Sequence, residues 1–243
     1  MNFFLFKPLS FIKIIMKLNN PIKLIVCDMA GTTVNEGGIV YKTLCETIKQ
    51  FNIKIDEDEI KNWYGINKTE VLNYFLTRDE NISSEGKPEM LEEMLATFKS
   101  NLKHNYYNDN CIKLIHPDLP GHFNKLRESG IKIALNSGFS VDIQENLINN
   151  LNMGEFIDGY ISSESVPCGR PEPFMIQELM KRFDITDPHT VIKIGDSMND
   201  ILEGKNAQCY KSIGVLSGAE TRENLVKAGA DEILNSVMDL ELN

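Results

Sequence analysis

Residues 24–34, LIVCDMAGTTV, constrain the fold of this chain more than any other stretch. An apolar run breaks off at Asp28, and a Gly-Thr-Thr turn follows. Such a run reads as a buried parallel strand, and its end as the sheet edge where open α/β sheets hold their ligands. Position 30 is the second informative residue: it is alanine, so this strand end carries one carboxylate and not two.

Beyond it, short apolar runs alternate with amphipathic stretches, the pattern of a parallel sheet covered by helices. KLIVCD predicts the first strand, IKIALNS (131–137) the second, GYISSES (159–165) the third, TVIKIGD (190–196) the fourth and KSIGVLSG (211–218) the fifth. EILNSV (232–237) suits an edge strand. HFNKLRESG predicts a helix closed by its C-terminal glycine. Between the first two strands lies a long insertion with helical periodicity and no good strand. VYKTLCETIKQF places Val40, Leu44, Ile48 and Phe51 at helical spacing. DEDEIKNWYG, TEVLNYFLTRDE and PEMLEEMLATFKSNLKHNYY predict three more helices. The fold class expected is α/β, a doubly wound, Rossmann-like parallel sheet with an inserted all-helical cap. The expected division is an extension over 1–18, a core over 19–37 and 110–243, and a cap over 38–109. A cap in that place excludes water from the sheet edge and brings specificity residues to it.

Four strand ends carry candidate chemistry. Asp28 ends the first. Ser137, followed by Gly138, ends the second in a turn whose hydroxyl and N–H groups suit a phosphate oxygen. PCGRPEP (167–173) presents Arg170 rigidly between a glycine and two prolines. Asp196 ends the fourth strand, with Asp200 one helical turn further on. Carboxylates meeting at one edge repel unless a cation joins them, and hard oxygen ligands favour magnesium. Each piece alone has an ordinary explanation: a strand-end aspartate often only caps the next helix, and a lone Ser or Arg is a turn or surface residue. Their order and spacing, each after an apolar run, argue for one site.

Composition sets the bounds. A chain of 243 residues with a formal net charge of −10 argues against a nucleic-acid or anionic-membrane partner. Cys27, Cys45, Cys111, Cys168 and Cys209 are odd in number and dispersed, which reads as reduced thiols in the cytoplasm and not as a disulfide or zinc framework. MNFFLFKPLSFIKIIM is too short and too charged for a membrane span and lacks the plan of a signal peptide. Met16 opens directly into the first strand, so residues 1–15 are expected to be dispensable.

Asp-x-Ala-Gly-Thr, Ser-Gly, Gly-Arg-Pro and Gly-Asp-x-x-x-Asp, in this order, resemble the haloacid dehalogenase superfamily from residue 22 to about 240. DMAGTTV, GRPEPFM and GDSMNDILEGKNA are most similar to its phosphonoacetaldehyde hydrolase (phosphonatase) and phosphonatase-like group. The resemblance implies that Asp28 attacks phosphorus and forms an aspartyl-phosphate. It implies Mg²⁺ held by Asp28, Asp196 and the main-chain carbonyl of Ala30, with Asp200 in support and Arg170 as the cation at the phosphoryl group. Thr32, Gly65, Ser137 and Gly138 would bind substrate. Members that cleave phosphate esters carry an acid two residues after the nucleophile. A carbon leaving group needs another solution, a cap lysine that forms an imine with the substrate aldehyde. Tyr64-Gly65-Ile66-Asn67-Lys68 matches the Gly and Lys of that segment, which makes Lys68 the candidate.

The sequence also departs from the group. Val71 stands where it has a histidine, Tyr64 where it has methionine, Gly38 where it has cysteine and Phe139 where it has tyrosine. The small-molecule substrate expected is therefore a phosphonate or, as the alternative, a phosphate ester such as phosphoglycolate. A non-catalytic phosphate-binding protein is the third reading. The resemblance further implies pairing of two chains through their caps, where Trp63 and Tyr64 would contribute, although an aromatic pair serves equally as cap core.

Overall fold

The computed structural model describes residues 21–56, 58–63, 66–108 and 112–242. The expected extension at the amino terminus and the candidate Gly65 lie outside them. The central sheet contains β1 (Leu24–Asp28), β4 (Lys132–Ser137), β5 (Gly159–Ser162), β6 (Val191–Gly195), β7 (Lys211–Val215) and β8 (Glu232–Leu234). Its order is β5-β4-β1-β6-β7-β8, and every neighbouring pair is parallel. Side chains alternate across it as strand geometry demands. Ile25 and Cys27 enter one apolar cluster with Ile133, Leu135, Ile192 and Ile194, while Leu24 and Val26 enter a second with Ala134, Ile161 and Met175. With both faces covered, β1 contains no exposed position, which explains its unbroken apolar run.

Helices α4 (Leu119–Glu128), α5 (Val141–Asn150), α6 (Phe174–Arg182), α7 (Met198–Asn206) and α8 (Arg222–Lys227) connect these strands. The chain leaves β1 for β4 on one side and later crosses to β6 on the other, so the topological switch point falls at the carboxyl end of β1. That is where an open α/β sheet forms its crevice.

Three helices follow β1 and form the helical cap: α1 (Ile39–Gln50), α2 (Lys68–Arg78) and α3 (Lys87–Asn108). They pack on one another and continue the first apolar cluster through Leu44, Ile48, Val71, Leu72, Phe75, Met94 and Phe98. Asn67 caps α2, its side-chain oxygen accepting from the Thr69 N–H at 2.8 Å. One expectation needs correction, and one pair of short strands was not expected. The acidic segment expected as a helix at 56–65 forms only a 3₁₀ turn over Glu59–Trp63 among its described residues. The chain also pairs β2 (Val34–Asn35) with β3 (Lys113–Leu114), antiparallel strands at the two roots of the helical insertion, which are too short to show a sequence period. Trp63 packs inside the cap, 4.5 Å between ring centroids from Tyr74 and 6.4 Å from Phe75. No helix among the described residues is long and apolar enough to cross a membrane.

Candidate active site

The carboxyl ends of β1, β4 and β6 bring the candidate residues together. Asp28 ends β1 beside Asn136 in register on β4, and Asp196 follows the last residue of β6. Asp28, Ala30, Lys68, Ser137, Gly138, Arg170 and Asp196 all border one cavity of about 290 Å³. Thr32 and Asp200 stand behind it. The Thr32 hydroxyl donates to Asp196 Oδ1 at 3.3 Å, so Thr32 orients that carboxylate and is not on the cavity wall.

Arg170 is the hub. Its Nη1 lies 2.6 Å from Asp28 Oδ1 and 3.2 Å from Asp200 Oδ1, and its Nε 3.0 Å from Glu203 Oε2. Nη2 donates to the carbonyl and side-chain oxygens of Asn136 at 2.9 and 2.6 Å. A planar guanidinium with five donors can serve all these acceptors at once, which a lysine could not. Burial opposes its charge, but Asp200, Asp28 and Glu203 together outweigh that and hold the guanidinium firmly protonated. Lys193 is the second buried cation, from the middle of β6. Its Nζ lies 2.8 Å from Asp200 Oδ1 and 3.4 Å from Glu203 Oε2, and donates to Asn136 Oδ1 at 2.8 Å.

The three aspartates divide by their surroundings. Burial raises Asp28 from 3.8 to about 6 against the pull of Arg170. Burial, with the charges of Asp28 and Asp200, raises Asp196 well above its usual range. Burial acts on Asp200 too, but Arg170 and Lys193 outweigh it and hold Asp200 below the usual range. Asp200 also closes a capping box at the start of α7, where Ser197 Oγ donates to its Oδ2 at 2.5 Å.

These residues fit a divalent cation. One oxygen each from Asp28, Asp196 and Asp200 lies within 4.8 Å of the others, all three residues are buried, and the donors are hard oxygens. Asp200 is paired with two cations, Arg170 and Lys193, and Asp28 with Arg170. The backbone crowds Asp196. A Cβ on Gly31, whose φ is +83°, would sit 2.6 Å from Asp196 Oδ2, and one on Gly218 only 2.0 Å from it. Glycine at both points lets the main chain close around the carboxylate, and the Ala219 N–H donates to Asp196 Oδ2 at 2.8 Å.

Lys68 faces these groups from the cap. Its ammonium donates to the Ile66 carbonyl at 2.9 Å and to the Tyr41 hydroxyl at 3.4 Å, and lies 4.5 Å from the centroid of the Tyr41 ring. Burial lowers it from 10.5 to about 8, with Glu36 and Asp28 opposing. Val71 is fully buried in the apolar cluster and does not border the cavity. Asn67 links cap to core, its Nδ2 donating to Ser163 Oγ at 2.9 Å.

Sequence reasoning missed Asn136 and Glu203, which orient Arg170, and Lys193, which shares their acceptor oxygens, as well as Glu36 and Tyr41 on the cavity wall. Lys193 alone left a visible signal, a lysine inside an apolar strand.

The chain is 26% identical over 259 residues to a phosphonoacetaldehyde hydrolase of Bacteroides fragilis, covering 90% of this chain and 94% of that one. Its fold is similar to the crystal structure of a phosphonoacetaldehyde hydrolase-like protein from Oleispira antarctica, with a TM-score of 0.77, 22% identity and 91% of each chain covered. It is also similar to a phosphoglycolate phosphatase predicted in Haemophilus somnus, with a TM-score of 0.69 and 20% identity, over 90% of this chain and 96% of that one. The family of haloacid dehalogenase-like hydrolases matches residues 25–215. With its parallel sheet, its helical cap and Asp28 at the switch point, the chain belongs to that family and is a hydrolase.

Proposed function

We propose that this protein is a Mg²⁺-dependent, phosphonatase-like hydrolase that cleaves a small carbonyl-bearing phosphonate, of which phosphonoacetaldehyde is the first candidate. The observation that carries the reading is Lys68, a buried lysine lowered to about 8, which shares one cavity with Asp28. Ala30 supports it, since the protein has no carboxylate two residues after the nucleophile to protonate an oxygen leaving group. The match to phosphonoacetaldehyde hydrolases over nine-tenths of the chain points the same way.

In this mechanism the Lys68 amine condenses with the substrate aldehyde. Asp28 then attacks phosphorus in line, and the P–C electron pair is received into the imine, leaving an enamine in place of a carbanion. Arg170 holds Asp28 aligned at 2.6 Å and meets the developing charge, with the Ser137–Gly138 turn beside it. Asp28, Asp196 and the Ala30 carbonyl would hold Mg²⁺, which would supply charge neutralisation for the phosphoryl oxygens. Water releases phosphate from Asp28, the enamine carbon takes up a proton, and hydrolysis of the resulting imine frees the aldehyde product and the Lys68 amine. The cap is the segment 38–109. The reading places the enzyme in the cytoplasm, on its dispersed thiols, and as a homodimer through the cap.

Borohydride added with phosphonoacetaldehyde tests the reading. The expected result is a mass adduct on Lys68 in wild type, kept in Asp28→Asn while phosphate release is lost. Wild-type protein without the adduct would overturn it. Val71, where the group has histidine, favours a second reading, a phosphomonoesterase for which Lys68 binds substrate charge. Release of phosphate from phosphoglycolate without the adduct would support that alternative.

A further inference from the structure

The cavity wall contains a carboxylate and a phenol that no expectation used. Glu36 lies between β2 and the Gly37–Gly38 turn and is 6% exposed. It borders the cavity together with Lys68, and its Oε2 accepts the Val40 N–H at 3.3 Å in the first turn of α1. Tyr41, one residue further along α1, borders the same cavity and presents its hydroxyl 3.4 Å from Lys68 Nζ. No histidine is among the described residues that border the cavity, and Val71, where the related group has histidine, is sealed into the apolar cluster.

We propose that Glu36 and Tyr41 are catalytic residues that carry the protons of imine formation at Lys68. The inference rests on the phosphonatase-like reading. Glu36 takes a proton from the Lys68 ammonium, and the freed amine adds to the carbonyl carbon as the C=O pair moves to oxygen. A second N–H proton passes through the Tyr41 hydroxyl to that alkoxide. Glu36 returns its proton to the resulting hydroxyl, the C–O bond breaks, and water leaves behind the protonated imine. No external reagent is needed, and Glu36 ends as the carboxylate it began. Three observations support the assignment. Glu36 borders the same cavity as the lysine, its charge is the largest of those that favour the ammonium, and burial makes that ammonium easier to deprotonate.

The test is the rate at which borohydride traps phosphonoacetaldehyde on Lys68, read by mass in full-length protein. Glu36→Gln is expected to slow trapping about 10²-fold and Tyr41→Phe about tenfold. In Glu36→Ala, added formate is expected to restore part of the rate, which a loss of packing would not allow. Trapping at the wild-type rate in Glu36→Gln overturns the inference and leaves the Lys68 reading standing. Slowed trapping that neither formate nor Glu36→Asp restores also overturns it, since the role is then structural. Absence of any adduct in wild type overturns the Lys68 reading itself, and this inference with it.

Discussion

Replacing Lys68 with methionine should make the protein more stable and the enzyme inactive. Lys68 is 8% exposed, and burial moves it from 10.5 to about 8. At about 1.4 kcal/mol per pH unit, holding a proton there in the folded state opposes folding by roughly 3 kcal/mol. The unfolded chain keeps its proton up to about pH 10.5, whereas the folded chain gives it up near pH 8. The full penalty therefore acts below pH 8, and wild-type stability rises as the pH climbs between the two values. Methionine removes the charge at similar length, but the Ile66 carbonyl loses a donor at 2.9 Å, a loss of about 1 kcal/mol. The net gain for Lys68→Met is about 2 kcal/mol at pH 7, and it turns into a loss of about 1 kcal/mol near pH 10.5. Urea unfolding of both proteins across pH 6.5 to 10.5 reads the difference. A variant less stable than wild type at pH 7, or a difference that stays flat with pH, would refute the reasoning.

Two further substitutions probe the proposed ligand Asp196 and the cap. Gly218→Ala puts a Cβ 2.0 Å from Asp196 Oδ2, so the carboxylate must move. The Mg²⁺ concentration for half-maximal phosphate release should rise about 10- to 100-fold, and an unchanged requirement would contradict the ligand role of Asp196. Val71→His restores the histidine of the related group at a position that is 0% exposed. It should destabilise the protein by about 2 kcal/mol through burial of a polar ring and leave Lys68 trapping no faster. Faster trapping would show that position 71 reaches the cavity.

The parts of this site that could be read from the sequence are those delivered by regular elements. Asp28, Ser137 and Asp196 each close an apolar run, and a two-sided parallel sheet makes such runs conspicuous. The cap was legible because helices of 11, 12 and 22 residues leave a clear helical period. The remainder depends on contacts between distant segments. Thr32 meets Asp196 across 164 positions, and Arg170 meets Asn136 across 34. Glu36 precedes two glycines and looks like a solvated turn charge until β2 and β3 fold it against the cavity. Tyr41 sits inside a helical period that is satisfied without it. Residues 56–65 carry charges that suit a helix start, yet the sequence around Glu59–Trp63 sustains only one 3₁₀ turn.

The buried network of Arg170 has a consequence in whole charges. Asp28, Asp196, Asp200 and Glu203 contribute four carboxylates, and Arg170 and Lys193 return only two cations. With these six groups ionised, the sheet edge is short of two positive charges, the charge of a single Mg²⁺, and counting the buried Lys68 and Glu36 of the same cavity leaves that sum unchanged. Protons compete with a cation for that charge, since burial raises both Asp28 and Asp196 above the usual carboxylate range. Under the proposed function, a divalent cation would neutralise this cluster before a dianionic phosphoryl group entered it, so the count of charges predicts cation before substrate.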